Sequence, residues 1–257
     1  MKKNQEKNNS TGQAQHGSHQ VSVFPDSQTL AAAAAEHVIR IGNDAVEVRG
    51  RFSLSLSGGS TPVALYDLLA RPGYLDRMPW NKTHLFWGDE RHVPPGDPES
   101  NYRMVKETLL DQVEIPEENI YRVPAEMEVR LAAFAYEETL RAYFNDAEWP
   151  RFDLVLLGMG EDGHTASLFP NSPGLNEEHR WFIANQPPGT NSWRLTLSKG
   201  AINAARNILV LVEGENKAGM LEQVLTGLYD PFQKPIQFIS PAEGYMIWMV
   251  DENAASH

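Results

Sequence analysis

The stretch "FDLVLLGMGEDGHTASLFP", Phe152 to Pro170, decides how this chain is read. It begins as an apolar run of strand length and then turns through Gly158, Gly160 and Gly163, with Asp162 and His164 two residues apart inside the turn. An acid and a histidine held on a tight turn at the end of a buried strand form a common kind of reactive centre. Near neutral pH a histidine can take a proton from water and return it to a leaving oxygen. His164 is therefore the candidate general base. Asp162 has three possible roles at this stage: setting the imidazole tautomer, contacting a substrate hydroxyl, or capping the turn.

Working outward, further short runs read as strands: "VSVF" (21–24), "RFSLSLS" (51–57), "HLFW" (84–87), "IYRV" (120–123), "WFIAN" (181–185), "WRLTL" (193–197) and "NILVLV" (207–212). Helical patterns fall between several of them. One runs through "LAAAAAEHVIRIGNDAVE" with Asp26 as its expected N-cap; others are "VALYDLLA", "NYRMVKETLL", "EVRLAAFAYEETLRAYF" and "KAGMLEQVL". Strands alternating with helices imply βαβ units, so the expected fold is a single-domain α/β, Rossmann-like, mostly parallel sheet with helices on both faces. Right-handed crossovers then place the loops after the strand C-termini along one edge, where ligands bind in open α/β sheets. The domain is expected over residues 21–257. Residues 1–20, rich in Asn, Gln, Lys and Ser, are expected to be a disordered tail.

Composition narrows the function. The 257 residues carry a net charge of −12 and are 41% hydrophobic, enough for a substantial core but poorly suited to nucleic acid or an anionic membrane surface. An anionic small substrate would need a local cationic cluster. There is no cysteine, which excludes disulfides, thiolate catalysis and Cys-based zinc sites. No two histidines have the i, i+4 spacing of a zinc-binding helical pair, so no metal is expected. No run approaches the roughly 20 apolar residues of a membrane span, and a cytoplasmic location is the expectation.

Two other strand-end loops carry chemistry. In "SGGSTP" (57–62), Gly58 and Gly59 let backbone approach a ligand, and Thr61 is placed to N-cap a helix with Pro62 in its first turn. Such a turn aims N–H groups and the positive helix end at one spot, which suits a phosphate and equally suits an ordinary strand-to-helix turn. In "WGDERHVPPGDPESNYRM" (87–104), Asp89, Glu90 and Arg91 stand at the ligand-facing strand end. Arg91 can pair with developing negative charge, and Asn101 is a candidate cap for the helix that follows.

With these loops assembled, the chain resembles the 6-phosphogluconolactonase family, which shares its fold with glucosamine-6-phosphate deaminases. The resemblance is carried by "LSLSGGSTP" (54–62), "FWGDERHVPPGDPESNYRM" (86–104) and "FDLVLLGMGEDGHTASLFP" (152–170), with weaker support from "WRLTLS" (193–198), "VEGENKAGML" (212–221) and "GYMIWMVDENAA" (244–255). It spans about residues 21 to 255. Glu161 departs from the proline often found there. The resemblance implies hydrolysis of 6-phospho-D-glucono-1,5-lactone, the second step of the oxidative pentose phosphate pathway. It places the phosphate on Gly58, Gly59, Ser60 and Thr61 with charge from Arg194 and Lys217, puts Asp89 in the substrate site, and assigns chemistry to His164, Asp162 and Arg91. The implied partner is a sugar-phosphate lactone, without cofactor, nucleic acid or membrane, acted on by a monomer or small homo-oligomer.

Two alternatives accompany that expectation. The deaminase branch typically continues Asp-Gly-His into an apolar stretch ending in Asn-Glu-Pro. This chain continues "TASLFP" and offers no acid until Glu177, which favours the lactonase. A non-catalytic sugar-phosphate-binding regulator is the third possibility, since fold alone does not fix function; such a protein would have no need of His164 and its neighbours.

Overall fold

The computed structural model describes residues 20–145 and 147–256. The expected tail therefore lies outside the described residues, apart from Gln20. The elements in chain order are β1 (Gln20–Phe24), α1 (Ser27–Arg49), β2 (Phe52–Leu56), α2 (Ser60–Leu69), β3 (Thr83–Trp87), β4 (Asp89–Arg91), α3 (Asn101–Val105), β5 (Ile120–Tyr121), α4 (Val129–Tyr143), β6 (Leu154–Gly158), β7 (Phe182–Asn185), β8 (Arg194–Leu197), α5 (Lys199–Asn203), β9 (Asn207–Val212), α6 (Ala218–Leu225) and β10 (Tyr245–Asp251), with short 3₁₀ turns between and a π-helical turn, Lys106–Leu110, continuing α3. Seven strands form one sheet in the order β1-β10-β9-β6-β2-β3-β5, and every pairing in it is parallel. The mostly parallel α/β architecture is as expected.

All five residues of β2 are buried, serines included, so both faces of the sheet are covered there. The Leu-Ser alternation of "FSLSLS" thus does not mark a wet face. Ser53 instead pairs with Asp153, whose Oδ2 accepts from both the backbone N–H and the hydroxyl at 2.8 Å. Helices α1 and α2 lie side by side against the sheet. Asp26 caps α1 as expected: its Oδ1 accepts from Thr29 N at 2.7 Å, and Thr29 Oγ1 accepts in return from Asp26 N at 3.3 Å. The buried aromatic residues Phe52, Phe86, Trp87, Phe152, Trp181 and Trp248 sit at the centre of one continuous core.

The strands depart from the sequence reading in four places. "WFIAN" and "WRLTL" do not join the parallel sheet: they are β7 and β8, which pair antiparallel with each other, and β8 pairs antiparallel with β4 in a separate three-stranded sheet. "DER", read as a loop, is β4 itself, because its backbone continues pairing just past Gly88. "IYRV" shortens to the two residues of β5. "YMIWMVD", given no element of its own above, is β10, an inner strand between β1 and β9.

Candidate active site

A cavity of about 220 Å³ opens at the C-terminal edge of the parallel sheet, where the three loaded loops converge. Its lining includes Gly58, Gly59, Ser60, Thr61, Asp89, Arg91, His164 and Lys217. Two buried tyrosines fix the strand ends that launch the first two loops. Tyr66, from α2, accepts from Ser57 N at 3.0 Å and donates to Ser57 O at 2.8 Å. Tyr136, from α4, accepts from Trp87 N at 2.8 Å and donates to Tyr121 O at 3.1 Å.

In the first loop the N-cap of α2 is Gly59, not Thr61, which lies inside the first helical turn. The backbone decides this: Gly59 has φ 103°, in the left-handed region that favours glycine, so the chain enters the helix one residue before Ser60. No side chain caps this helix. Its first amides have no intrahelical acceptor, and the residues bearing them line the cavity.

The second loop divides its charges. Glu90 is 2% exposed and does not face the cavity. Its carboxylate accepts from the N–H groups of Arg91, Asn101 and Tyr102 and from Ser100 Oγ, gripping the start of α3. Burial pushes its carboxyl upward, opposed by those backbone donors. The N-cap of α3 is Ser100, whose Oγ accepts from Arg103 N at 3.2 Å, so Asn101 is not the cap. Asn101 instead lines the cavity and donates to Asp89 O at 2.9 Å. Arg91 is braced by a 2.7 Å bond from Nη1 to Glu99 O. Directly across the β4–β8 pairing stands Arg194. Burial and the like charge of Arg91 lower the Arg194 guanidinium from its ordinary value, with Asp89 opposing. Two adjacent cations form the local positive pole that a chain of net charge −12 needs for an anionic ligand. Arg194 is not itself among the lining residues.

The third loop is a closed turn. Gly160 N donates to His164 O at 2.8 Å, and Gly163 N donates to Gly160 O at 3.1 Å. Asp162 Oδ1 lies 2.5 Å from His164 Nδ1 and also accepts from His164 N at 3.1 Å. A methyl group at Gly160 would sit 2.0 Å from His164 Nδ1, so only glycine admits the ring at this place. Phe169 backs the imidazole at 4.7 Å between ring centroids. Burial pushes the Asp162 carboxyl up, but the hydrogen bonds and charge of His164 outweigh it and leave the carboxyl below its ordinary value. With Nδ1–H facing a carboxylate, Nε2 carries the lone pair available to a ligand. Of the acids near the cavity, Asp162 is the one touching the ring; Asp89 Oδ2 accepts from Ser167 Oγ.

Sequence reasoning missed Asn101 as a lining residue, Glu213 just beyond β9, and Ser167 beneath the loop. Glu213 was legible in principle, being the first residue after an apolar strand at the ligand-facing edge. The others depend on side chains meeting across the fold. Glu177, the first acid after the turn, lines a different cavity, and its Oε1 accepts from the N–H groups of Glu178, His179 and Arg180. Among the described residues no group of three His, Asp or Glu side chains is arranged to hold a metal ion, and no helix is long and apolar enough to cross a membrane.

Residues 25–248 match the family described as glucosamine-6-phosphate isomerases/6-phosphogluconolactonase. The chain is 40% identical over 239 residues to a 6-phosphogluconolactonase of Nostoc sp., covering 92% of this chain and 97% of that one. It is 41% identical over 241 residues to a 6-phosphogluconolactonase of Synechocystis sp., covering 93% and 98%. The fold superposes on the solved 6-phosphogluconolactonase from Trypanosoma cruzi with a TM-score of 0.82 at 29% identity, covering 93% of this chain and 96% of that one.

Proposed function

The chain belongs to the glucosamine-6-phosphate isomerase/6-phosphogluconolactonase family, and from that premise we infer that it hydrolyses 6-phospho-D-glucono-1,5-lactone to 6-phospho-D-gluconate. The observation that best supports this reading is the Asp162–His164 pair, which opens onto the same cavity as Arg91 and the uncapped start of α2. The phosphate rests on the N–H groups of Gly58 to Thr61 and on Lys217, with Arg194 adding charge from beside the cavity. His164 Nε2 takes a proton from water as the water oxygen attacks the C1 carbonyl. Arg91 stabilises the resulting oxyanion, the bond from C1 to the ring oxygen breaks, and the histidinium returns the proton to that oxygen. Asp162 holds the tautomer and steadies the histidinium, while Asp89 accepts from a sugar hydroxyl. The reaction so written needs neither metal nor organic cofactor, because the δ-lactone carbonyl is intrinsically reactive. A cytoplasmic site of action belongs to the same proposal.

The test is proton release from freshly generated lactone, followed with the wild-type chain, with His164→Ala and with buffer alone, since spontaneous hydrolysis is a strong background. Wild type accelerates the reaction, and loss of the base lowers turnover by about 10²–10⁴-fold. Equal acceleration by both proteins retires His164 as base. No acceleration by either rejects the lactonase reading, and ammonia release from glucosamine 6-phosphate becomes the next assay.

A further inference from the structure

His164 and Arg91 come from distant parts of the chain, and hydrolysis as proposed above requires them to face one substrate in a fixed geometry. The connection between their loops runs through Ser167, which is 1% exposed. Each of its three polar groups has a partner. Its hydroxyl donates to Asp89 Oδ2 at 2.7 Å, its N–H donates to Thr196 Oγ1 at 3.2 Å, and its carbonyl accepts from Asn185 Nδ2 at 2.8 Å. Asp89 lies on β4, Thr196 on β8 and Asn185 on β7. Every strand of the small sheet therefore contributes one side chain to the same residue. Asp89 and Thr196 are also direct partners across the β4–β8 pairing, so two of these contacts are set by one sheet register.

Ser167 follows His164 by three positions, and Asp89 precedes Arg91 by two. Between Ser167 and the histidine, Ala166 is held at φ 47°, a left-handed conformation that persists in a non-glycine residue when its surroundings enforce it. Thr196 is fully buried and absent from the cavity lining; its own hydroxyl donates to Leu197 O at 3.0 Å. It touches the base loop without touching the space a substrate occupies.

We propose that Ser167 and Thr196 are positioning residues: the small sheet clamps Ser167 and thereby sets the placement of His164 against Arg91. The proposal rests on the hydrolytic reading above. A displacement of about 1 Å in a catalytic group can cost on the order of 10²-fold in rate, and an unpaired buried N–H at Ser167 would drive such a shift.

The test compares Thr196→Val, which keeps the shape and removes the acceptor, with Thr196→Ser, which keeps the acceptor. Lactone hydrolysis and hydrogen exchange are measured on the full chain. Thr196→Val lowers kcat by about 10- to 100-fold with KM within about twofold of wild type, because the phosphate grip is untouched. Exchange rises over residues 158–168 and stays at wild-type rates over 57–62, and Thr196→Ser restores both readouts. Wild-type kcat and exchange in a folded Thr196→Val, or a Thr196→Ser as defective as the valine variant, overturns the proposal. If Thr196→Val fails to fold, Ser167→Ala is expected to give the same fall in kcat at constant KM, and a wild-type kcat there overturns it. If the wild-type chain leaves the lactone untouched, the functional reading falls while the exchange comparison still decides whether the Thr196 hydroxyl holds the loop.

Discussion

The two sheets of this molecule use polar residues in opposite ways. In the seven-stranded sheet, β6 and β9 are nearly continuous apolar runs, and the buried carboxylate nearby, Asp153, sits just before β6 at the edge away from the cavity. It accepts from Arg49 Nε at 2.7 Å and from Ser53, and it stitches strands together. In the three-stranded sheet the polar side chains are within the strands: Asp89 and Arg91 on β4, Asn185 on β7, Arg194 and Thr196 on β8. A parallel strand covered on both faces has no room for a reactive side chain along its length, so its chemistry is confined to the loops beyond its C-terminal end. A short antiparallel sheet standing beside those loops can aim alternate side chains at them. One sheet supplies stability and the launching points, and the other supplies the geometry of the charges.

Breaking each sheet should therefore register in a different measurement. The largest expected effect is on stability: Asp153→Ala leaves the buried N–H and hydroxyl of Ser53 without their acceptor and should cost about 2–4 kcal/mol in denaturant unfolding, with kcat of the folded enzyme unchanged. A comparable fall in kcat would show that the division between the sheets is wrong. Arg91→Ala in the small sheet should do the reverse, lowering kcat by about 10²–10³-fold with little change in unfolding midpoint, as loss of an oxyanion partner does.

Smaller effects sharpen the comparison. Lys217→Ala should raise KM by about tenfold and lower kcat less, as expected for one charge-assisted phosphate contact. Arg194→Ala should follow the same pattern more weakly, because Arg194 stands beside the cavity and not in its lining. An effect of Arg194→Ala mainly on kcat would reassign it to the oxyanion with Arg91. The smallest change is in a titration. His164 holds the Asp162 carboxyl below its ordinary value against the upward push of burial, so His164→Ala should move the Asp162 midpoint to higher pH by carbon-13 NMR. The sign for stability follows: the depressed carboxyl contributes stability above its unfolded pKa, and that contribution is lost as pH falls through the folded value. The variant should lose it.

Much of the fold and of the site was legible in the residues. Apolar runs of strand length alternating with amphipathic helices fixed the parallel sheet, and glycines placed next to Asp162, His164 and Ser60 marked the loops at its edge. The antiparallel sheet was not legible, because "WFIAN" and "WRLTL" look locally like any other buried strand, and "DER", which pairs with "WRLTL", is too short and too charged to carry a strand signal. The caps at Thr61 and Asn101 were misplaced by one or two positions for a similar reason: several adjacent residues could cap, and backbone geometry at Gly59 and Ser100 selected among them.

The sequence by itself determined which groups are available: a histidine with an acid two residues before it, an arginine at a strand end, a glycine-rich turn entering a helix, and too few positive charges for any but a local anion site. Only the tertiary structure decided which of them meet. That Asp162 and not Asp89 holds His164, that Glu90 grips a helix while Asp89 faces the cavity, and that Ser167 is held from all three strands of the small sheet are facts of contacts between residues as much as 78 positions apart. Local periodicity encodes which face of an element is buried; it carries no information about which distant side chain lies across from it, and hydrogen bonds of 2.5–3.2 Å are decided by that last step of packing.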